Sequence, residues 1–159
     1  MAGTKKTPEG PLDASGLRFA IVVAEFNAEI TERLLEGARE CLAKNGVPHD
    51  QVTVQRVPGA FELPLAAQGL ARSGSHDAIV ALGCVVRGDT PHFEYVSQAA
   101  THGLQRVALD TGIPVSFGVL TTENVAQAEA RAGGEHGNKG FDAAQAAVEM
   151  ALMQRAATR

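Results

Sequence analysis

Residues 87–92, Arg87-Gly88-Asp89-Thr90-Pro91-His92, set a guanidinium, a carboxylate, a hydroxyl and an imidazole side by side directly after the apolar stretch "ALGCVV". Such a set can hold an anion and move a proton. Gly88 lets the backbone turn tightly or approach a ligand closely. Thr90 suits a helix N-cap, and Pro91 suits the first helical position. A helix opening there points unpaired N–H groups and its positive dipole end at the end of the preceding strand, which makes an anion site. A phosphate could then take the amides around Asp89 and Thr90 together with the Thr90 hydroxyl. His92, on the first turn, would bring an imidazole for proton transfer near neutral pH. The same letters also fit plain capping followed by a solvated histidine, so this segment alone leaves both readings open.

A second basic group lies in "RAGGEHGNKG", where Arg131 and Lys139 are separated by a glycine-rich turn. Read by itself it fits an ordinary helix C-terminus, with Arg131 in the last turn and Gly133-Gly134 as the stop. His49, His76, His92, His102 and His136 are scattered, and neither Cys41 nor Cys84 joins one at ligand spacing, so no metal signature is present. A glycine-rich dinucleotide fingerprint and a phosphate-binding P-loop are absent as well.

The elements that must position these groups follow from the pattern. A chain of 159 residues suits one domain, and 45% hydrophobic with 20% charged residues suits a globular core. A net charge of −4 gives no basic field for nucleic acid or an anionic membrane surface. No apolar stretch approaches the roughly 20 residues of a membrane span. The first residues lack the apolar centre of a secretory signal, and two cysteines among apolar neighbours make no disulfide scaffold; a cytoplasmic location is expected. Residues 1–16 are polar and patternless and read as a flexible arm, with residues 17–159 as a single domain.

Beyond the arm, strand and helix alternate. "LRFAIVVA" (17–24), "QVTVQRV" (51–57), "DAIVALGCVV" (77–86) and "IPVSFGVL" (113–120) predict four strands. Between the first two, Ile30, Leu34, Ala38 and Leu42 recur every four residues up to Asn45-Gly46, a helix with its stop. Pro64 places a helix start in "FELPLAAQGLARSG". Phe93, Val96, Ala100, Leu104 and Val107 predict one stripe of a long helix after Pro91. "ENVAQAEARAG" and "FDAAQAAVEMALMQRA" predict two more. The crossovers suit right-handed βαβ units, giving a flavodoxin-like three-layer α/β/α sandwich around a four-stranded parallel sheet. Ligands of such sheets bind beyond the carboxyl ends of the strands. There the sequence places Phe26-Asn27, Pro58 to Glu62, Arg87 to His92, and Phe117 with Thr121-Thr122.

Five stretches in order, "EFN", "VPGAFELP", "GCVVRGDTPHFEYV", "FGVLTTEN" and "RAGGEHGNKGFDAAQAAVEM", resemble the lumazine synthase family from about Gly16 to the last helix. The resemblance implies a transferase of riboflavin biosynthesis. Its substrates would be 5-amino-6-(D-ribitylamino)uracil and 3,4-dihydroxy-2-butanone 4-phosphate, its product 6,7-dimethyl-8-ribityllumazine, with no metal or redox cofactor and a functional link to riboflavin synthase. By the family pattern Phe26 stacks on the pyrimidine, with Asn27 beside it, and Ala60, Phe61 and Glu62 hold the ribityl chain and ring edge. Backbone groups of Cys84, Val85 and Val86 line the same pocket. Asp89 and Thr90 hold phosphate, Asp89 through its amide with its carboxylate towards solvent, and His92 shuttles protons. Phe117, Arg131 and Lys139 reach across a subunit boundary, Phe117 and Lys139 to the aminouracil and Arg131 to the phosphate.

The resemblance further implies pentamers and a sixty-subunit icosahedral shell, in which the arm adds to a neighbour's sheet. Two rivals differ in class. A phosphoacceptor signalling domain wants two acids after strand one and an aspartate ending strand three, whereas Glu25 stands alone and the third strand ends in Val85-Val86-Arg87. A catalytically weak flavin-binding or shell-forming paralogue is separated from an enzyme by a substrate assay.

Overall fold

The apolar, β-branched run Phe19–Ala24 forms β1, buried at every position, as a strand covered on both faces requires. Helix α1, Ala28–Lys44, brings Ile30, Leu34, Ala38 and Leu42 onto its buried side. A single 3-10 turn, His49–Gln51, takes the place of the expected start of the second strand, and β2 runs Val52–Val57. A second 3-10 turn, Ala60–Glu62, leads into α2, Leu63–Arg72, with Pro64 in its first turn. Strand β3 is Ala78–Val86, and α3 is His92–Thr111, closed by Gly112 in the left-handed region at φ 72°. Then come β4 (Val115–Thr122), α4 (Val125–Ala130), β5 (Ala132–Gly134), β6 (Gly137–Asn138) and α5 (Lys139–Ala157). This computed structural model describes residues 3–158.

Strands β2-β1-β3-β4 form one parallel sheet in that order. On one face, Phe19, Ile21 and Val23 pack against Leu34 and Leu42 of α1 and Val148 of α5. On the other, Ala20, Val22 and Ile79 meet Leu63 of α2 and Leu104 and Val107 of α3. The three layers and the four-stranded parallel sheet are those expected. The antiparallel β5–β6 hairpin is not; "GGEHGNKG" carries no apolar alternation to reveal it. No helix among the described residues is long and apolar enough to cross a membrane.

Two close approaches set the α1–α5 layer. A Cβ on Gly140 would overlap the Leu34 carbonyl, and one on Gly37 would overlap the Asn138 side chain. Among the described residues the segment before β1 has no regular element up to Gly16, but it is tied down at its end. Leu12 N–H donates to Asn45 Oδ1 at 2.9 Å, Ala14 N–H donates to the Asn45 carbonyl at 2.8 Å, and Ala14 is buried.

Candidate active site

The sheet order reverses direction between β1 and β3, and at such a switch point the loops diverge to leave a crevice at the carboxyl ends. Register enlarges it. Strand β1 pairs with β3 as far as Val23 opposite Leu82, while β3 and β4 stay paired to Val86 opposite Thr122. At about 3.3 Å per residue, Cys84–Val86 rise as a step of about 10 Å above the end of β1. Arg87 N–H donates to the Thr122 carbonyl at 2.9 Å, so by alternation the backbone groups of Cys84 and Val86 turn towards the β1 side. Asn27 Nδ2 donates to the Cys84 carbonyl at 2.8 Å. Val86 sits above that contact, facing the open crevice.

Asn27 is the one non-glycine residue with positive φ among those described, at φ 61° and ψ 47°. That left-handed turn costs conformational energy and is held by surrounding bonds. Glu25 N–H donates to the Val57 carbonyl at 2.8 Å and Phe26 N–H to the Pro58 carbonyl at 3.0 Å, which stitches the loop after β1 to the loop after β2. Phe26 is thereby left 72% exposed and Phe61 63% exposed, over a buried Ala60, with Glu62 also exposed. Two bare aromatics beside unpaired backbone amount to a surface for a flat, polar-edged molecule.

Across the crevice, α3 starts one residue later than expected. Pro91, at ψ 5°, lies outside the helix and occupies the cap position, so His92 is the first helical residue. Thr90 Oγ1 is not a firm cap: it accepts from His92 N–H at 3.5 Å. Asp89, Thr90 and His92 are all exposed at this helix opening. Arg87 bonds Glu94 (Nη1 to Oε1, 2.5 Å) and Glu123 (Nε to Oε2, 2.7 Å), and its guanidinium lies 4.4 Å from the Phe93 ring centroid. The hydrogen bonds of Glu94 and Glu123 raise the Arg87 pKa, and the hydrogen bond from Arg87 holds Glu94 below the ordinary glutamate value. Burial pushes the Cys84 thiol up to about 11, so it is neutral at pH 7 and no nucleophile there.

Phe117 shares the α2–α3 face of β4 with Val115 and Val119 and is 40% exposed on that edge strand. Arg131 caps α4, donating from Nη1 to the Gln127 carbonyl at 2.9 Å, as the ordinary C-terminus reading requires. The hairpin then returns the chain so that Lys139 N–H donates to the Arg131 carbonyl at 2.8 Å, which sets the two residues side by side on the backbone. Asn138, which sequence reasoning missed, fixes that junction. Its Oδ1 accepts from Gly140 and Phe141 N–H, and its Nδ2 donates to the Arg33 carbonyl. The signal was there: an asparagine just before a helix with an acid, Asp142, in its first turn.

The chain thus gathers Phe26, Asn27, Ala60, Phe61 and Glu62 against Cys84, Val85 and Val86, with the 89–92 turn beyond. Among the described residues no hydrogen bond or ion pair joins Arg131 or Lys139 to Asp89, Thr90 or His92. Of two surface grooves, one of about 260 Å³ lies at the opposite, amino ends of the strands, beside Arg18, Gln51 and His76. The other, about 400 Å³, runs along α2 and touches the crevice through Val57 and Glu62.

The family model described as 6,7-dimethyl-8-ribityllumazine synthase matches residues 16–155. A protein of that name from Chlorobium phaeobacteroides is 55% identical over 150 residues, 94% of this chain and 97% of the relative. One from Chlorobium limicola matches to the same extent, and one from Chlorobaculum tepidum is 55% identical over 147 residues, 92% of this chain and 95% of the relative. The match spans both sides of the β1–β3 crevice and the Arg131–Lys139 hairpin, and the chain belongs to the 6,7-dimethyl-8-ribityllumazine synthase family.

Proposed function

We infer that this chain is the transferase that condenses 5-amino-6-(D-ribitylamino)uracil with 3,4-dihydroxy-2-butanone 4-phosphate, the lumazine-forming step of riboflavin biosynthesis. The observation that carries this reading is 55% identity over 94% of the chain to relatives of that name. The crevice suits it. The uracil amine attacks the ketone and water leaves as an imine forms; phosphate departs by elimination; the ring amine then closes on the resulting carbonyl with loss of a second water. These steps need proton transfers, an anion clamp and two substrates held in contact. Alignment alone can supply about 7–11 kcal/mol of such a barrier.

In this reading Phe26 stacks on the pyrimidine beside Asn27, and Ala60, Phe61 and Glu62 hold the ribityl chain and ring edge. The Cys84 and Val86 backbone, with Val85 between them, reads the polar edge. The Asp89 amide and the Thr90 hydroxyl take the phosphate, and His92 moves protons. Phe117, Arg131 and Lys139 come from a neighbouring chain. The exposure of both aromatics, and the absence among the described residues of any bond from the two cations to the 89–92 turn, support that division. The same reading makes residues 17–159 one catalytic domain in a cytoplasmic protein, which suits two free cysteines. It builds pentamers and a sixty-subunit shell. Supporting it, Leu65, Tyr95, Leu109 and Met153 are bare on the surface, and β2 and β4 leave two open sheet edges.

The test is direct: mix the two substrates with purified protein and follow the absorbance of the lumazine product against release of inorganic phosphate. Stoichiometric appearance of both supports the enzyme. A protein that binds flavin yet makes no lumazine would sink it in favour of the paralogue.

A further inference from the structure

Every polar residue of the 87–92 turn has a role in the proposed condensation except Arg87. Its backbone is the last to join the sheet, donating to Thr122. Its side chain reaches seven residues forward to Glu94 on the first turn of α3 and across to Glu123 just past β4, while Phe93 packs under the guanidinium. One residue therefore anchors both ends of the turn. Little else does so. Helix α3 has no side-chain cap bond, Gly88 has open space around it, and the other bonds made within 88–94 are the 3.5 Å contact to Thr90 and the Glu94 N–H to the Pro91 carbonyl.

We propose that Arg87 is a positioning residue for the condensation, a strut that holds the β3–α3 turn so that Thr90 and His92 address the same phosphorylated substrate. The proposal rests on the function inferred above. Arg87 is not itself the phosphate ligand: two carboxylates occupy its Nε and Nη1, and the three side chains together carry a net negative charge that repels an anion. Nor is the cluster a stability device, since exposed ion pairs contribute little to folding. Its effect is geometric, and small displacements of reacting groups have large kinetic consequences.

The test uses Arg87→Met and the double variant Glu94→Gln/Glu123→Gln in the full-length protein, assayed beside the wild type. Glu94 and Glu123 lie outside the proposed substrate contacts, so the double variant removes the strut without removing Arg87. Both variants are expected to raise KM for the phosphorylated ketone and lower kcat, with a combined loss of about 10- to 100-fold in kcat/KM. KM for the aminouracil and the melting temperature should stay near wild type. Binding of inorganic phosphate, measured by calorimetry, should weaken in parallel. If Arg87 were a direct anion ligand, freeing it in the double variant would leave phosphate affinity unchanged or tighten it, and that result overturns the proposal. So does a double variant with wild-type constants for both substrates, which remains decisive should Arg87→Met fail to fold. A wild type that makes no lumazine refutes the inferred function instead, while the phosphate titration still reports on the strut.

Discussion

His92 and Arg131 separate cleanly by the kind of loss each should cause. An arginine fork on a phosphate makes charge-assisted bonds of about 1.5–3 kcal/mol, so Arg131→Ala should raise KM for the phosphorylated substrate about 10- to 100-fold, with Arg131→Lys between. Removing a general acid–base should instead lower kcat by about 10²–10⁴ in His92→Ala, with both KM values little changed. Steady-state kinetics with each substrate varied in turn distinguishes the two patterns; an Arg131→Ala enzyme with unaltered KM and rate would remove Arg131 from the clamp. The cysteines give a pH prediction. Burial raises Cys41 to about 12 and Cys84 to about 11, against an ordinary value of 9.0. Between the ordinary and the raised values the folded state holds protons that the unfolded chain has lost. The stability contributed by these thiols is therefore fully present below pH 9 and declines as pH rises towards 11 and, for Cys41, about 12. Each thiol contributes a slope of up to about 1.4 kcal/mol per pH unit. Denaturant titrations at fixed protein concentration should show a shallower alkaline decline in Cys41→Ala and Cys84→Ala than in the wild type.

The elements were legible where apolar spacing was regular and illegible where hydrogen bonds decide. Strand β1 and helix α1 followed from FAIVVA and from Ile30, Leu34, Ala38 and Leu42, because burial of a face is written in residue type. The β5–β6 hairpin followed from nothing local. It exists because Gly133 and Gly137 adopt φ 93° and 76° and because Asn138 is bonded across to α1. The crevice itself was half legible: the strand ends carrying Phe26, Phe61 and His92 could be located, but not the step at Cys84–Val86, which depends on register, nor the left-handed Asn27. Position 140 tests the tightest of these hidden constraints. Gly140→Ala forces a methyl group into the Leu34 carbonyl, a backbone atom that cannot swing aside. Overpacking of this kind costs about 1–3 kcal/mol. The variant should melt earlier, and because α5 begins at Lys139, an aminouracil contact in the proposed reading, it should also raise KM for the aminouracil. A Gly140→Ala protein as stable as the wild type would mean that α1 and α5 can separate freely.

At the scale of the whole molecule, the open question is where a complete site resides. One chain holds the aromatics, the backbone step and the 89–92 turn at one end of its sheet, and holds Arg131 and Lys139 together on the α4–α5 hairpin. In the proposed pentamer each hairpin would face the next protomer's crevice, a head-to-tail contact that would repeat until it closes. Complementation decides the matter. Suppose His92→Ala and Arg131→Ala protomers, each strongly impaired alone when the phosphorylated substrate is held near the wild-type KM, are unfolded, mixed in equal amounts and refolded. A site built from two chains is intact whenever an Arg131→Ala protomer supplies His92 and a His92→Ala neighbour supplies Arg131, which random closed assembly achieves at about one site in four. The mixture should therefore regain about a quarter of wild-type activity, whereas sites contained within single chains would regain none. Deleting residues 1–11, which spares the Leu12 and Ala14 bonds to Asn45 and the buried Ala14, then separates the ring from the shell. If the arm joins rings by adding to a neighbour's sheet edge, light scattering should fall from the sixty-subunit mass to that of a pentamer, and the mixed truncated chains should still complement.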